Sequence, residues 1–319
     1  MSRYLVTGGA GYIGSVVAAS LLSAGHRVTV LDDLTTGTSE AVPEGADFVK
    51  GDAAQAATLL HPGYAGVLHF AASSQVAESV RDPEKYWRNN VVGSLELIAA
   101  MRRASVRTLV FSSTAAVYGE PDHVPITEDA KTAPTSPYGA TKLAVDHLIS
   151  GAAAAHGLAA VSLRYFNVAG AHGSHGERHD PESHLIPLLL QVALHRRSHI
   201  DIYGDDYPTR DGTCVRDYIH VADLAEAHLL ALEAARPGEH LICNLGNGEG
   251  FTVREVIDSV RRVTGRTVSQ RVRPRRTGDP AVLVASADRA RQRLNWQPRR
   301  TDLDTIVADA WAFALKELA

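Results

Sequence analysis

Gly8-Gly9-Ala10-Gly11-Tyr12-Ile13-Gly14 follows the apolar run Arg3–Thr7 and leads into a helical pattern over Ile13–Ala24. The glycines permit a tight turn, close approach of backbone to a pyrophosphate, and close helix–strand packing. The free N–H groups and positive dipole end of the following helix then face the phosphates. By itself such a turn is equally an ordinary tight βα loop. The next strand pattern ends at Asp32-Asp33, where the ribose-binding carboxylate of such units belongs. Asp32 would accept hydrogen bonds from the adenosine ribose hydroxyls and repel a 2′-phosphate, which favours NAD over NADP. Asp52 closes the third strand pattern. It is placed to accept from the adenine amino group, or else to cap the helical turn Ala53–Leu60. Phe70-Ala71-Ala72 ends the fourth pattern with small residues suited to backbone lying against a ligand.

Outward from this turn, short β-branched runs alternate with longer helical patterns. Strands are expected at Arg3–Thr7, Arg27–Leu31, Asp47–Lys50, Gly66–Phe70, Thr108–Ser112 and Ala160–Tyr165. Helices are expected at Ile13–Ala24, Pro83–Ala104 and Tyr138–His156. This alternation implies right-handed crossovers and an α/β fold, a Rossmann-type doubly wound parallel sheet. From Ala171 it lapses into a Gly/His/Pro-rich stretch, followed by helical patterns at Leu224–Ala235 and Val253–Val263 around the apolar piece Leu241–Leu245. The expected organisation is an NAD-binding domain over 1–170 and a smaller, mixed substrate domain over 171–319. Some later segments are expected to return to the first domain.

The 319 residues are 45% hydrophobic and 21% charged, with a formal net charge of −4, so neither general disorder nor a basic surface for nucleic acid or anionic membrane is indicated. Cys214 and Cys243 form no CxxC pair, which argues against a disulfide framework or zinc knuckle. Tyr4-Leu5-Val6 breaks into glycines too early for a signal-peptide core, and Leu185–Leu194 is interrupted by Pro187 and Gln191. A cytoplasmic, soluble protein without membrane or nucleic-acid partners is the expectation.

Thr114 follows Ser112-Ser113 at the carboxyl end of the fifth strand pattern, the ligand side of open α/β sheets. Ser136-Pro137-Tyr138 opens a helix on which Tyr138 and Lys142, four apart, share a face. A phenol with an ordinary pKa near 10 is a poor base. A neighbouring ammonium and a positive nicotinamide ring would both favour the phenolate, and Thr114 is placed to relay the proton.

The turn Gly8–Gly14, the run Phe111–Gly119, the Tyr138/Lys142 pair and Leu163–Gly170 resemble the extended short-chain dehydrogenase/reductase superfamily. Within it the chain resembles the UDP-sugar 4-epimerases that interconvert UDP-glucose and UDP-galactose, from Tyr4 to about Trp296. The most specific segments are Ser112–Gly119, Arg164–Asn167, Asp206–Thr213 and Val215–Val221. The resemblance implies that Tyr138, with Thr114, takes the proton of the sugar 4-hydroxyl while C4 gives its hydride to NAD+. The 4-ketose then turns over and receives the hydride on its other face, with Lys142 holding the nicotinamide ribose and tuning Tyr138. It adds Leu34, Ala53, Asn90 and Phe166 to the cofactor residues. On the substrate side it implies Thr114 and Tyr138 at the sugar, Asn167, Leu185 and Tyr203 at the nucleotide, and Arg216, Arg276 and Asp279 at the diphosphate and ribose. It also implies a homodimer through the helices of Pro83–Ala104 and Tyr138–His156, although the same apolar faces are suited to packing on the sheet.

The chain departs from the family pattern at several positions. Ser74 stands for a lysine that reaches the cofactor phosphates, Thr114 for a serine, and His184 for an asparagine near the substrate. Leu283 is intermediate between small residues that admit N-acetylated sugars and bulky ones. UDP-glucose and UDP-galactose are therefore expected to be preferred, with UDP-N-acetylhexosamine, UDP-xylose/arabinose and UDP-glucuronate as alternatives. Related 4,6-dehydratases place carboxylates after the strand-end hydroxyl; Ala115 and Ala116 here cannot transfer a proton. A non-catalytic NAD sensor is the reading from another class, and would not need hydroxyl, phenol and amine in register. His172, His175, His179 and His184, with Glu177, Asp180 and Glu182, invite a metal reading. Gly173 and Gly176 argue against a regular helix there, so a mobile loop without metal is expected.

Overall fold

Apolar β-branched runs separated by glycine turns and helical patterns have one economical packing, a parallel sheet covered on both faces. The computed structural model describes residues 1–276 and 279–318. Its strands are β1 (Arg3–Thr7), β2 (Arg27–Asp32), β3 (Asp47–Lys50), β4 (Gly66–His69), β5 (Thr108–Thr114) and β6 (Ala159–Tyr165). There follow β7 (Asn167–Ala169), β8 (Ile200–Tyr203), β9 (Val215–His220), β10 (His240–Leu245), β11 (Gly250–Thr252), β12 (Gln270–Arg273) and β13 (Val282–Leu283). A seven-stranded sheet runs in the order β10-β6-β5-β4-β1-β2-β3. All its neighbouring strands are parallel. The chain reverses its direction of winding between β1 and β4, so a crevice opens there at the strands' carboxyl ends.

The helices are α1 (Tyr12–Ser23), α2 (Ala56–Leu59), α3 (Val76–Arg81), α4 (Pro83–Tyr86), α5 (Gly93–Arg103) and α6 (Pro137–His156). They continue with α7 (Leu185–Ala193), α8 (Val221–Ala234), α9 (Val253–Thr264), α10 (Asp288–Leu294) and α11 (Leu303–Lys316). Successive residues of a strand face opposite ways, and β1 shows the consequence. Val6 packs with Val16 and Leu21 of α1 and Leu224 of α8, whereas Leu5 packs with Leu97 and Met101 of α5 and Val145 and Ile149 of α6. Thus α8 and β10, late in the chain, complete the sheet begun by β1. A third core joins Ile186 and Leu189 of α7, Ile257 and Val260 of α9, and Ile306 and Val307 of α11. Beside it lie the sheet of β7, β9, β11 and β13 and the pair β8–β12.

The pattern over Pro83–Ala104 is not one helix. It comprises α4, a π-helical segment over Trp87–Val92, and α5. A π segment adds a residue to a turn and commonly marks a functional position; here it contains the buried Asn90. Among the described residues no helix is long and apolar enough to cross a membrane.

Candidate active site

The glycine turn is shaped so that side chains are excluded. Gly8 has φ +71°, and a Cβ on it would meet Ala71 N at 2.5 Å. A Cβ on Gly14 would stand 2.1 Å from Gly8 O. No side chain caps the first turn of α1, so its N–H groups remain available to an anion. The Tyr12 hydroxyl donates to Gly170 O at 2.7 Å and ties this turn to the end of β7. Asp32 is oriented by the backbone: its two oxygens accept from Ala10 N and Leu34 N, each at 2.9 Å. Leu34, expected at the cofactor, does not line the cleft and only orients Asp32 through that amide, and burial raises the Asp32 carboxyl above its ordinary value. Asp52 fulfils the capping role with one oxygen, which accepts from Ala54 N and Gln55 N.

One cleft of about 560 Å³ gathers Gly8, Gly11, Tyr12, Ile13, Gly14, Asp32, Asp33, Asp52, Ala53, Phe70, Ala71, Ala72 and Ser74. The same cleft reaches Thr114, Tyr138, Lys142, Phe166, Asn167 and His184. Asn90, expected on its wall, stands behind it. Its amide exchanges hydrogen bonds with the Ser73 backbone at 2.8 and 3.0 Å and donates to Thr141 Oγ1 at 3.1 Å. It therefore braces the segment after Phe70.

Ser136 caps α6 by accepting from Gly139 N, and Pro137 presets its first turn. This fixes Tyr138 and Lys142 one turn apart. Lys142 is buried; its Nζ donates to Ser112 O at 2.8 Å and lies 4.9 Å from the Phe111 ring centroid. Burial lowers the lysine pKa to about 8. The Tyr138 ring centroid is 6.0 Å from Nζ. Burial raises the Tyr138 pKa, opposed by the hydrogen bond with Thr114. The expected lowering by the neighbouring ammonium is not met in the protein alone: burial sets the direction, and only Thr114 opposes it.

Behind α6, Asp146 receives Arg164 Nη2 at 2.8 Å, with both side chains nearly dry. Ser113 donates to the same carboxylate, and Arg164 donates to the Tyr118 hydroxyl, which donates to Asn244 Oδ1 at 2.7 Å. This network joins β5, α6, β6 and β10 beneath the reacting groups. The sequence reading missed it. The available signal was Asp146 one turn beyond Lys142, together with Arg164 inside a specific segment.

The remaining substrate candidates form a second group. Arg216 pairs with Asp279, Arg276 lies 3.8 Å over the Tyr203 ring, and Leu283 is opposite Arg216 in the β13–β9 register. Leu185 opens α7 and packs against the third core. Leu283 and Phe166 pack on one apolar cluster with Val117 and Ile126, linking this group to the cleft. The loop expected to be mobile is tied down: Arg178 pairs with Glu317 at 2.9 Å and stacks 4.6 Å over Phe313. Without any helix it brings Glu177, His179 and His184 together.

Residues 4–246 match the model of the NAD dependent epimerase/dehydratase family. The chain belongs to that family. It is similar to the UDP-glucose 4-epimerase of Streptomyces lividans, with 63% identity over 97% of this chain and 95% of the relative. It is also similar to the crystal structure of UDP-glucose 4-epimerase from Brucella ovis in complex with NAD. That match has a TM-score of 0.93 and 45% identity, and covers 98% of both chains. The enzyme of that name from Stenotrophomonas maltophila, with bound NAD and formylated UDP-arabinopyranose, has a TM-score of 0.95 and 41% identity over both full chains.

Proposed function

We propose that the protein is an NAD-dependent isomerase that interconverts UDP-glucose and UDP-galactose by epimerisation at C4. The single observation that carries this reading is the placement of Thr114, Tyr138 and Lys142 in the same cleft as the glycine turn and Asp32. The names of the relatives support it. The residues fit NAD: Cβ atoms at Gly8 and Gly14 would collide with the backbone of Ala71 and Gly8 and break the tight turn, the first turn of α1 has no side-chain cap, and both oxygens of Asp32 are already aimed by backbone amides. Bound NAD supplies a reversible hydride acceptor for C4 of the sugar and, when oxidised, a positive charge beside Tyr138.

Tyr138 takes the 4-hydroxyl proton as the phenolate, the form that Thr114 beside it favours before the transfer. Lys142, held by Ser112 O, adds a positive charge that favours the phenolate. The resulting 4-ketose turns over in the cleft, so that its opposite face meets the place where bound cofactor would supply the hydride, and Tyr138 returns the proton to the 4-oxygen. Nothing is lost or gained, as isomerisation requires. Ala115 and Ala116 offer no group for the further proton transfer that dehydration needs. Asn167 and His184 meet the substrate from the cleft, while Tyr203, Arg216, Arg276 and Asp279 take its nucleotide and diphosphate end, and Leu185 packs behind them. Leu283, packed beside Phe166, narrows the sugar pocket against N-acetyl groups.

The protein works in the cytoplasm as a homodimer; the half-exposed Val76, Val80, Trp87, Val92 and Leu95 along α3 to α5 are the surface that supports pairing. The test is to incubate the purified protein with UDP-galactose, with and without added NAD, and to follow UDP-glucose by chromatography. Conversion that halts at a mixture of the two sugars is expected. Silence in both arms would remove this substrate assignment.

A further inference from the structure

The segment from Ala171 to His184 walls one side of the cleft, and the mechanism leaves most of its polar groups unused. Glu177 and Glu182 are the least exposed of them, with side chains 10% and 6% accessible. Both lie close enough to Tyr12 to raise its hydroxyl pKa. Arg178, the nearest arginine in sequence, is engaged by Glu317 and Phe313 instead. The groups that meet these carboxylates are imidazoles. His179 Nδ1 is 2.6 Å from one oxygen of Glu177, and His184 Nδ1 is 3.6 Å from the other and 2.8 Å from Glu182 Oε1. His179 Nδ1 is buried, and despite that short separation its geometry is not that of a hydrogen bond. Two ring nitrogens set against one buried carboxylate are an arrangement that a shared cation, proton or metal, satisfies.

We infer that Glu177, His179 and His184 form a binding site for a divalent transition-metal ion of the zinc class. One carboxylate oxygen and two imidazole nitrogens are the donor set that zinc takes, leaving a fourth position for water or substrate. Their donor atoms already lie within 4.8 Å of one another. Bonds of 2.0–2.1 Å in a tetrahedral site put donors about 3.3 Å apart. The 2.6 and 3.6 Å separations, to the two oxygens of Glu177, lie on either side of that value. Glu182 Oε1 accepts from the Ser183 and His184 amides at 2.6 and 2.7 Å and meets His184 Nδ1 at 2.8 Å, so an ion at Nδ1 replaces that contact and finds Glu182 beside it as a further oxygen donor.

The ion has two consequences for this chain. It staples residues 177 and 184 across the cis Asp180-Pro181 bond, closing the loop against the cleft. It also fixes a tautomer: an imidazole metallated at Nδ1 carries its proton on Nε2. His184, which lines the cleft, thereby becomes a permanent donor toward a bound anion, a role its asparagine counterpart would fill with an amide.

The experiment titrates chelator-treated, tag-free protein that retains its cofactor with Co²⁺ and follows its visible absorption. A band that saturates at one equivalent per chain and is displaced by Zn²⁺ is expected. His179→Ala should abolish it and Glu177→Gln should weaken binding at least tenfold. His172→Ala, on the same loop but outside the triad, should leave it unchanged. Circular dichroism melts show whether each variant is folded, and Glu177→Gln, nearly isosteric, keeps the test open if His179→Ala is not. No saturable band, a band retained in both triad variants, or one lost equally in His172→Ala would overturn the site. UDP-galactose turnover by the chelated protein is a separate readout, so failure of the metal site leaves the epimerase reading intact.

Discussion

The two ends of the candidate site are built in opposite ways. At the large sheet, Thr114, Tyr138 and Lys142 stand on a long strand and a capped 20-residue helix, over the dry Asp146–Arg164 network. Their geometry exists before any ligand arrives. Around β8, β9 and β13, strands of two to six residues, the arginines are already occupied, Arg216 on β9 by Asp279 and Arg276, beyond the end of β12, by the Tyr203 ring. A ligand there must exchange partners. Pre-organisation suits groups that stabilise a transition state. Exchangeable pairing suits recognition, because a ligand that cannot replace the lost contacts is rejected.

Variants that break this contrast should fall into two kinds, those altering turnover or stability and those altering substrate binding. The largest effect is expected from Tyr138→Phe, a fall of about 10³–10⁴ in kcat, the usual scale for a lost acid–base group. Bound NAD should be retained, and a cofactor-loaded variant with unimpaired turnover would end the assignment of Tyr138 as base. Asp146→Ala should follow, costing about 3–5 kcal/mol in urea unfolding because it leaves the buried Arg164 guanidinium unpaired. A loss below 1 kcal/mol would show that the floor of the site is not rigid in the way its burial implies.

Lys142 gives a test by pH. Its folded pKa is about 8 against an ordinary 10.5. Below pH 8 both folded and unfolded chains carry the ammonium, and the folded one bears its burial cost. Between the two values the folded amine is neutral while the unfolded one still binds a proton. Stability of cofactor-free protein should therefore rise with pH across that window, by about 3 kcal/mol in total relative to Lys142→Met. Parallel profiles for the two proteins would show that the ammonium bears no such cost. The smallest change is expected at the other end. Arg276→Ala removes a half-exposed stacking cation, worth about 0.5–1 kcal/mol, and should raise KM for the UDP-sugar a few-fold with kcat unchanged. A drop in kcat of similar size to that of KM would place Arg276 in the pre-organised half.

Local patterns carried much of this architecture. The glycine turn, the strand–helix alternation and the four-residue spacing of Tyr138 and Lys142 depend on neighbours in sequence, and β1, β3, α6 and α9 lie within a residue or so of their expected limits. The NAD preference expected from Asp32 required only residue chemistry, and the expectation against dehydration at Ala115 and Ala116 required the resemblance as well. Tertiary structure decided the rest. Periodicity over Pro83–Ala104 could not disclose a π segment, since the extra residue is stabilised by Asn90 reaching Ser73 and Thr141 on other elements. The direction of the Tyr138 shift depended on how much water α6 and β5 exclude, which no spacing encodes. Glu177, His179 and His184 converge on a loop whose Arg178 reaches Glu317, 139 residues away at the end of α11. Sequence fixes what neighbours along the chain can do, whereas burial and long-range pairing are settled only when distant elements close on one another.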